Sequence, residues 1–249
     1  MDLKEESAIG GDPGAHWYYI AKGRAIKALL GSEPVEEVLD VGAGSGVFSR
    51  MLVRDRIASR AVCVDPNYAD GWLAGKRGDL FCYTRSVDDV VADLVLMIDV
   101  IEHVDDDKAL IAEYAAKAPA GARFLISVPA FQFLWSSHDD FLEHRRRYTL
   151  ETLRASVEAA GLEVADCRYF FGMLFPAAAA MRLADRALKG DRKAEASALK
   201  AAPGWLNKTL VAIHDLERAT LFPVNRFAGV TAFCLARKPA GVAEMSKAA

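Results

Sequence analysis

The sequence predicts an α/β fold, a doubly wound and mainly parallel sheet with helices on both faces, in one domain of 249 residues. Three observations carry that expectation. A glycine turn, Gly42-Ala43-Gly44-Ser45-Gly46, joins a strand-like run to a helix-like one near the start of the chain. Apolar strand-like runs then alternate with helix-like segments, the order that gives parallel strands and right-handed crossovers. One run, Asp93-Leu-Val-Leu-Met-Ile98, is continuously apolar, as befits a parallel strand covered on both faces.

Composition narrows the class. With 52% hydrophobic residues the chain can build a full core. A net charge of −3 gives no general case for nucleic-acid binding. No run reaches the roughly 18 apolar residues that a membrane span needs. The N-terminal Asp2, Glu5 and Glu6 do not suit a secretory signal. Cys63, Cys82, Cys167 and Cys234 lie in apolar stretches without metal-type spacing, so reduced thiols and a cytoplasmic protein are expected.

Residues 1–13 are polar. His16-Trp17-Tyr18-Tyr19 then opens a helix-like segment with Ile26, Leu29 and Leu30 on one face, ended by Gly31 and Pro34. It reads as a cover of the sheet edge or as a lid, spanning residues 14–31. Val38, Leu39 and Val41 are strand formers leading into the glycine turn, and Phe48, Met51 and Leu52 follow at helical spacing. Three glycines at alternate positions permit positive φ and leave bare main chain for a ligand. The helix start behind them offers unpaired N–H groups to a polar or anionic group. A dinucleotide fingerprint needs its third glycine one residue later, where Val47 stands.

The second strand, Ala61 to Asp65, ends in Asp65-Pro66. An acid at that place, about 20 residues beyond the glycine loop, can accept from both hydroxyls of a ribose. Residues 69–78 read as a short helix or loop and Leu80 to Tyr83 as the third strand. The fourth strand runs into Asp99-Val100-Ile101-Glu102-His103-Val104-Asp105-Asp106-Asp107 at the carboxyl edge, where ligands bind in such sheets. A neutral His103 can take a proton near pH 7, or simply hydrogen-bond within the turn. Asp105 to Asp107 suit the cap of the next helix, about 107–118. The fifth strand, Ala122 to Val128, leads into a loop with Phe131, Phe133, Trp135, His138, His144, Arg145, Arg146, Arg147 and Tyr148, more chemistry than a connector needs. Thr149 suits an N-cap, with Leu150, Leu153 and Val157 on one face and Gly161 as the stop. Leu162 to Tyr169 and Val230 to Arg237 are the last two strands. The roughly sixty residues between them exceed what a hairpin requires. They hold an apolar run from Phe170 to Met181, a basic run (Arg182, Arg186, Lys189, Arg192, Lys193) and a helical segment with Leu206, Leu210, Ile213, Leu216 and Leu221. A packed insert, a dimer surface, a cap over a hydrophobic substrate and a membrane-surface patch are the readings open there.

The string Asp40-Val41-Gly42-Ala43-Gly44-Ser45-Gly46, the stretch from Asp99 to Asp107 and the 131–149 loop together resemble class I S-adenosylmethionine (SAM) methyltransferases, within the small-molecule group that includes the quinone O-methyltransferases. The resemblance runs from His16 to Arg237 and is strongest at residues 38–48, 93–107 and 128–150. It implies a Rossmann-like seven-stranded sheet closed by an antiparallel last strand, with an N-terminal helical lid. The core would be residues 35–170 and 230–237, the helical insert 171–229 and a loose tail 239–249. It implies SAM as cofactor, S-adenosylhomocysteine as product, and cofactor contacts from Tyr19, Arg24, Asp40, Gly42, Ala43, Gly44, Gly46, Phe48, Asp65, Pro66, Ser86, Asp99 and Val100. Arg24 would pair with the SAM carboxylate and Asp99 would meet the methionine end. Arg85 stands where the family often has an acid for adenine, so Ser86, Val87 or main chain takes that place. Candidate bases are His103, His138 and His144. Some quinone O-methyltransferases hold a divalent ion on an acid–acid–His–acid set, which Asp99, Glu102, His103 and Asp106 match in spacing, although no metal is the favoured reading. The expected activity is methyl transfer to a small-molecule acceptor, at oxygen by preference, by a monomer or homodimer. N-methylation and a non-catalytic SAM-binding scaffold are the alternatives, and a nicotinamide-dependent oxidoreductase is a third.

Overall fold

In the computed structural model, residues 11–189 and 202–240 are described. The basic positions Arg192 and Lys193, most of the tail and the first ten residues lie outside them. Seven strands form one sheet in the order β3-β2-β1-β4-β5-β7-β6. They are β1 (Val35–Val41), β2 (Ala58–Val64), β3 (Phe81–Thr84), β4 (Leu94–Ile98), β5 (Arg123–Pro129), β6 (Glu163–Phe170) and β7 (Thr231–Arg237). The first five pair in parallel, while β7 lies antiparallel between β5 and β6. This is the Rossmann-like sheet with its antiparallel closing strand.

Side-chain alternation along the strands explains the two covered faces. Leu39, Val41, Val95, Met97, Phe124 and Ile126 point into one core. It is closed by α3 (Asp107–Lys117) and α5 (Leu150–Ala159). Val38, Leu94, Leu96, Ile98, Leu125 and Phe233 point into the other, beneath α1 (Trp17–Leu30) and α2 (Val47–Arg54). Gly23 lets those two helices touch, since a Cβ there would lie 2.6 Å from the Met51 sulfur. Thr149 caps α5, accepting from the Thr152 N–H at 3.2 Å. The one-turn helix α4 (Ser137–Phe141) interrupts the loop after β5.

The strict strand–helix alternation fails around β3. Between β2 and β3 only a 3-10 turn, Asp70–Trp72, forms, and residues 85–93 form no helix before β4. Gly71, Gly75 and Gly78 interrupt the first segment, and in the second Val90 and Ala92 are buried as extended chain. Between β6 and β7 lie α6 (Phe175–Lys189) and α7 (Gly204–Thr220). Helix α7 packs against α1. No helix among the described residues is long and apolar enough to cross a membrane. All four cysteines are free and buried.

Candidate active site at the carboxyl edge of the sheet

Strained backbone gathers at the carboxyl ends of the strands. Gly42, Gly44 and Gly46 follow β1 with φ of 63°, 55° and 70°. Asp99 follows β4 at φ 53°, Phe131 lies beyond β5 at 58° and Phe171 follows β6 at 60°. Left-handed non-glycine residues cost about 1–3 kcal/mol each and cluster where function requires a fixed geometry.

The glycine loop needs its glycines. A Cβ on Gly42 would sit 2.7 Å from a Val100 methyl, and one on Gly46 2.9 Å from the Cys63 sulfur. The Gly42 and Ala43 N–H groups donate to the Val64 carbonyl at 2.7 and 3.1 Å, which folds the loop over β2. Asp40 is buried and accepts from the Ser49 hydroxyl at 2.6 Å. Asp65 is buried too, accepting from the Gly44 N–H at 3.3 Å and the Asn67 N–H at 2.9 Å. The Tyr68 hydroxyl donates to the Gly44 carbonyl at 2.6 Å. Pro66 and Ser86 are exposed beside this loop, whereas Ala43, Phe48 and Tyr19 are buried beneath it or under α1. Arg85 donates to the Tyr68 carbonyl and pairs with Asp70.

Asp99 sits at the end of β4 with a full set of donors. The Ser127 hydroxyl reaches Oδ1 at 3.2 Å, and the Tyr18 hydroxyl reaches Oδ2 at 3.4 Å. The Lys22 ammonium bonds the same Oδ2 and donates to the Tyr18 hydroxyl at 3.1 Å. Burial pushes the Asp99 carboxyl up, but the adjacent Lys22 ammonium outweighs this and holds it below the usual carboxylate range. Arg24, expected to pair with the SAM carboxylate, is half-exposed and paired with Asp215 of α7. Lys22 is the residue that sequence reasoning missed. Its signal was present: Tyr19, Lys22, Ile26 and Leu29 share one face of α1, and a lysine on an apolar stripe needs a buried acid.

Three residues further on, Glu102 is fully buried and neither carboxylate oxygen has a hydrogen-bond partner. Burial first, and Asp99 second, push its carboxyl up to about 7. Beside it the rings of His103 and His144 meet edge to face, 4.7 Å apart. His144 Nδ1 lies 2.9 Å from Asp139 Oδ1, and the Arg147 guanidinium brackets Asp139 at 2.7 and 3.0 Å. Burial alone would raise the Asp139 carboxyl, but His144 and Arg147 hold it well below the usual range. Burial likewise lowers the His144 imidazole, yet Asp139 and Glu102 leave it above its ordinary value. The third candidate base, His138, is partly buried on α4 outside this cluster.

The four-residue metal set is not assembled. Asp106 caps α3, accepting from the Ala109 N–H at 2.9 Å, and Asp99 bonds Lys22 outside the cluster of Glu102, His103 and His144. Among the described residues, Glu102, His103 and His144 can bring one ligand atom each within 4.8 Å of one another. One carboxylate and two imidazoles fit a divalent transition ion. The loop arginines serve structure one by one. Arg146 ties the loop to the Val104 and Asp105 carbonyls at 2.9 and 2.6 Å, and Arg147 holds Asp139. Tyr148 is buried and donates to Asp107 at 2.9 Å.

A seven-stranded sheet with this closing strand and a glycine cradle at the first strand end defines the class I SAM-dependent methyltransferase fold. The chain belongs to a methyltransferase-domain family, which it matches over residues 15–166. No curated protein matches its sequence. Solved structures share the fold at low identity. A methyltransferase of Haloferax volcanii, solved in complex with the Trm112 methyltransferase activator, is 18% identical over 96% of this chain and 98% of that one, with a TM-score of 0.57. A SAM-dependent methyltransferase of Archaeoglobus fulgidus is 17% identical over 94% and 97%, with a TM-score of 0.51. Phosphoethanolamine N-methyltransferase 2 of Haemonchus contortus, solved with SAM, is 13% identical over 96% and 60%, with a TM-score of 0.55.

Proposed function

We propose that the chain binds SAM at the carboxyl edge and methylates an oxygen of a small-molecule acceptor. The observation that carries this reading is the pairing of two unlike stations on one loop, Asp99 with the buried Lys22 and the buried Glu102 with two histidines. SAM supplies an activated methyl group on a sulfonium, flanked by an amino-acid end and a nucleoside. The glycine loop from Gly42 to Gly46, with Asp40 behind it, receives the methionine and nucleoside junction. Asp65 accepts from the ribose hydroxyls, and Ser86 or neighbouring main chain meets the adenine. Asp99 takes the cofactor ammonium, and Lys22 takes the carboxylate in the place expected of Arg24, so the two ends of a zwitterion meet a matched acid and base.

An oxygen acceptor must lose a proton as it is methylated, whereas a neutral amine attacks through its lone pair. A base at the acceptor side therefore favours oxygen. His144 fits that role, because Asp139 at Nδ1 orients the ring and leaves Nε2 to take the proton. The methyl carbon bonds to the acceptor oxygen, the sulfur keeps the electron pair of the broken S–C bond, and the proton passes to the imidazole. Positioning supplies most of the rate, since the sulfonium is already reactive. If an ion sits on Glu102, His103 and His144, it takes Nε2 of His144 and would replace the base, supplying Lewis acidity at the acceptor oxygen instead.

Radiolabelled SAM offered with phenols, carboxylates, sugars and amines tests the reading. The expected result is transfer to a hydroxyl-bearing acceptor, lost in His144→Ala. Transfer to amines alone would replace the oxygen assignment. Tight SAM binding with no turnover on any acceptor would favour a scaffold.

A further inference from the structure

The turn that ends β6 is held from the insert, by a carboxylate with no part in the scheme above. Glu217 on α7 is fully buried. Its Oε1 accepts from the Gly172 N–H at 2.6 Å and its Oε2 from the Met173 N–H at 3.4 Å. His214, one turn earlier and also buried, places Nδ1 2.9 Å from the same Oε2. Two main-chain amides and an imidazole thus converge on one buried acid. Such charge-assisted contacts are about twice as strong as neutral ones.

What they hold is Phe171. This residue is buried with φ 60°, a conformation that a phenylalanine keeps only when its surroundings enforce it. Its ring stacks on Tyr18 at 5.4 Å and 14°, and meets the His214 ring edge-on at 4.7 Å. The Tyr18 hydroxyl is the one that contacts Asp99 and accepts from Lys22. A continuous set of contacts therefore runs from Glu217 through Phe171 and Tyr18 to the pair assigned to the cofactor's amino-acid end. Helix α7 is also braced to α1 and the turn before it. The Trp17 N–H donates to Asn207 at 2.7 Å, Asn207 donates back to the Ala15 carbonyl at 3.1 Å, and the Trp17 ring stacks on His214.

We propose that Glu217 is a positioning residue for the methionine subsite: by fixing the turn at Phe171 it sets Tyr18, and through Tyr18 the Asp99–Lys22 pair. This inference rests on Asp99 receiving the methionine end of SAM. It gives the segment between β6 and β7 a role in cofactor selection that its sequence does not announce.

The test compares two ligands by calorimetric titration of the full chain. SAM carries the amino-acid end, and 5′-methylthioadenosine has the same nucleoside without it. In Glu217→Gln the affinity for SAM should fall about tenfold, while that for 5′-methylthioadenosine stays within about twofold. A loss equal for both ligands, or no loss for SAM, overturns the proposal. Phe171→Leu leaves the Glu217 contacts in place and removes the ring stacked on Tyr18. It should show the same selective loss, and it decides the outcome by the same criteria if Glu217→Gln does not fold. An unaltered chain that binds 5′-methylthioadenosine but not SAM would overturn the cofactor reading itself, separately from the outcome in the variants.

Discussion

Asp99 and Glu102 are two acids three positions apart on one loop, the first partly exposed and the second fully buried, and they have opposite surroundings. Asp99 meets a lysine, a tyrosine and a serine, and its carboxyl is held down. Glu102 meets no donor, and its carboxyl is pushed up to about 7. The same residue class thus becomes a permanent anion at one station and an acid poised near neutrality at the other. Burial costs the charged form at both, and a single buried lysine decides between them. The lesson is functional: the first station matches a cationic ligand group, and the second suits proton handling or an ion.

Breaking the satisfied station should have the largest effect. Lys22→Met removes the counter-charge of Asp99, and should destabilise the fold by about 3–5 kcal/mol in denaturant titration. SAM binding should go with it. Adding Asp99→Asn in the same chain should recover most of the stability but none of the SAM affinity. If Lys22→Met alone costs nothing, the pair is not what holds Asp99 down.

At the second station, removal of the base should act on rate rather than binding. His144→Ala should lower kcat by about 10²–10⁴ while SAM affinity stays unchanged. Equal losses in kcat and SAM affinity would assign His144 to the cofactor instead. Glu102→Gln should show the reverse of Lys22→Met. An unpartnered buried carboxylate becomes a neutral amide, so the melting temperature should rise, with a gain of about 1–3 kcal/mol. Turnover should fall in the same variant, the usual opposition of stability and activity at a functional group. Manganese or zinc should raise the melting temperature of the unaltered chain and leave Glu102→Gln unmoved if the Glu102, His103 and His144 trio holds an ion. The smallest effect is expected from Arg24→Ala. Its pair with Asp215 is part-exposed, and such pairs contribute about 0–1 kcal/mol. SAM affinity should stay within about twofold, against the large loss for Lys22→Met.

Local signals explain what the sequence disclosed. The glycine turn, the apolar run of β4 and the Thr149 cap each depend on neighbours within a few residues, so their spacing could be read directly. The mainly parallel sheet followed from alternation, and its seven strands with an antiparallel last one from the family resemblance. Around β3 the reading of residues 69–78 as a short helix or loop left two outcomes open, and the structure gives a single 3-10 turn, Asp70–Trp72. The long-range pairs were not legible. Lys22 with Asp99, Glu217 with the Gly172 and Met173 amides, and His144 with His103 join residues that only the folded sheet brings together. Arg24 was the natural choice on α1 because arginine suits a carboxylate, yet residues two apart lie on opposite helical faces, so Arg24 turns toward α7 and Lys22 toward the sheet. Asp106 matched a metal set by spacing but suited a helix cap by its place before α3, and the cap is the role it fills.

The most direct measurement is a crystal structure of the chain with S-adenosylhomocysteine bound. It should place the ribose hydroxyls on Asp65, the ammonium on Asp99 and the carboxylate on Lys22, with the sulfur facing the His144 side of the loop. A nucleoside bound elsewhere, with the Lys22–Asp99 contact untouched, would contradict the assignment of this edge as the methyl-donor site.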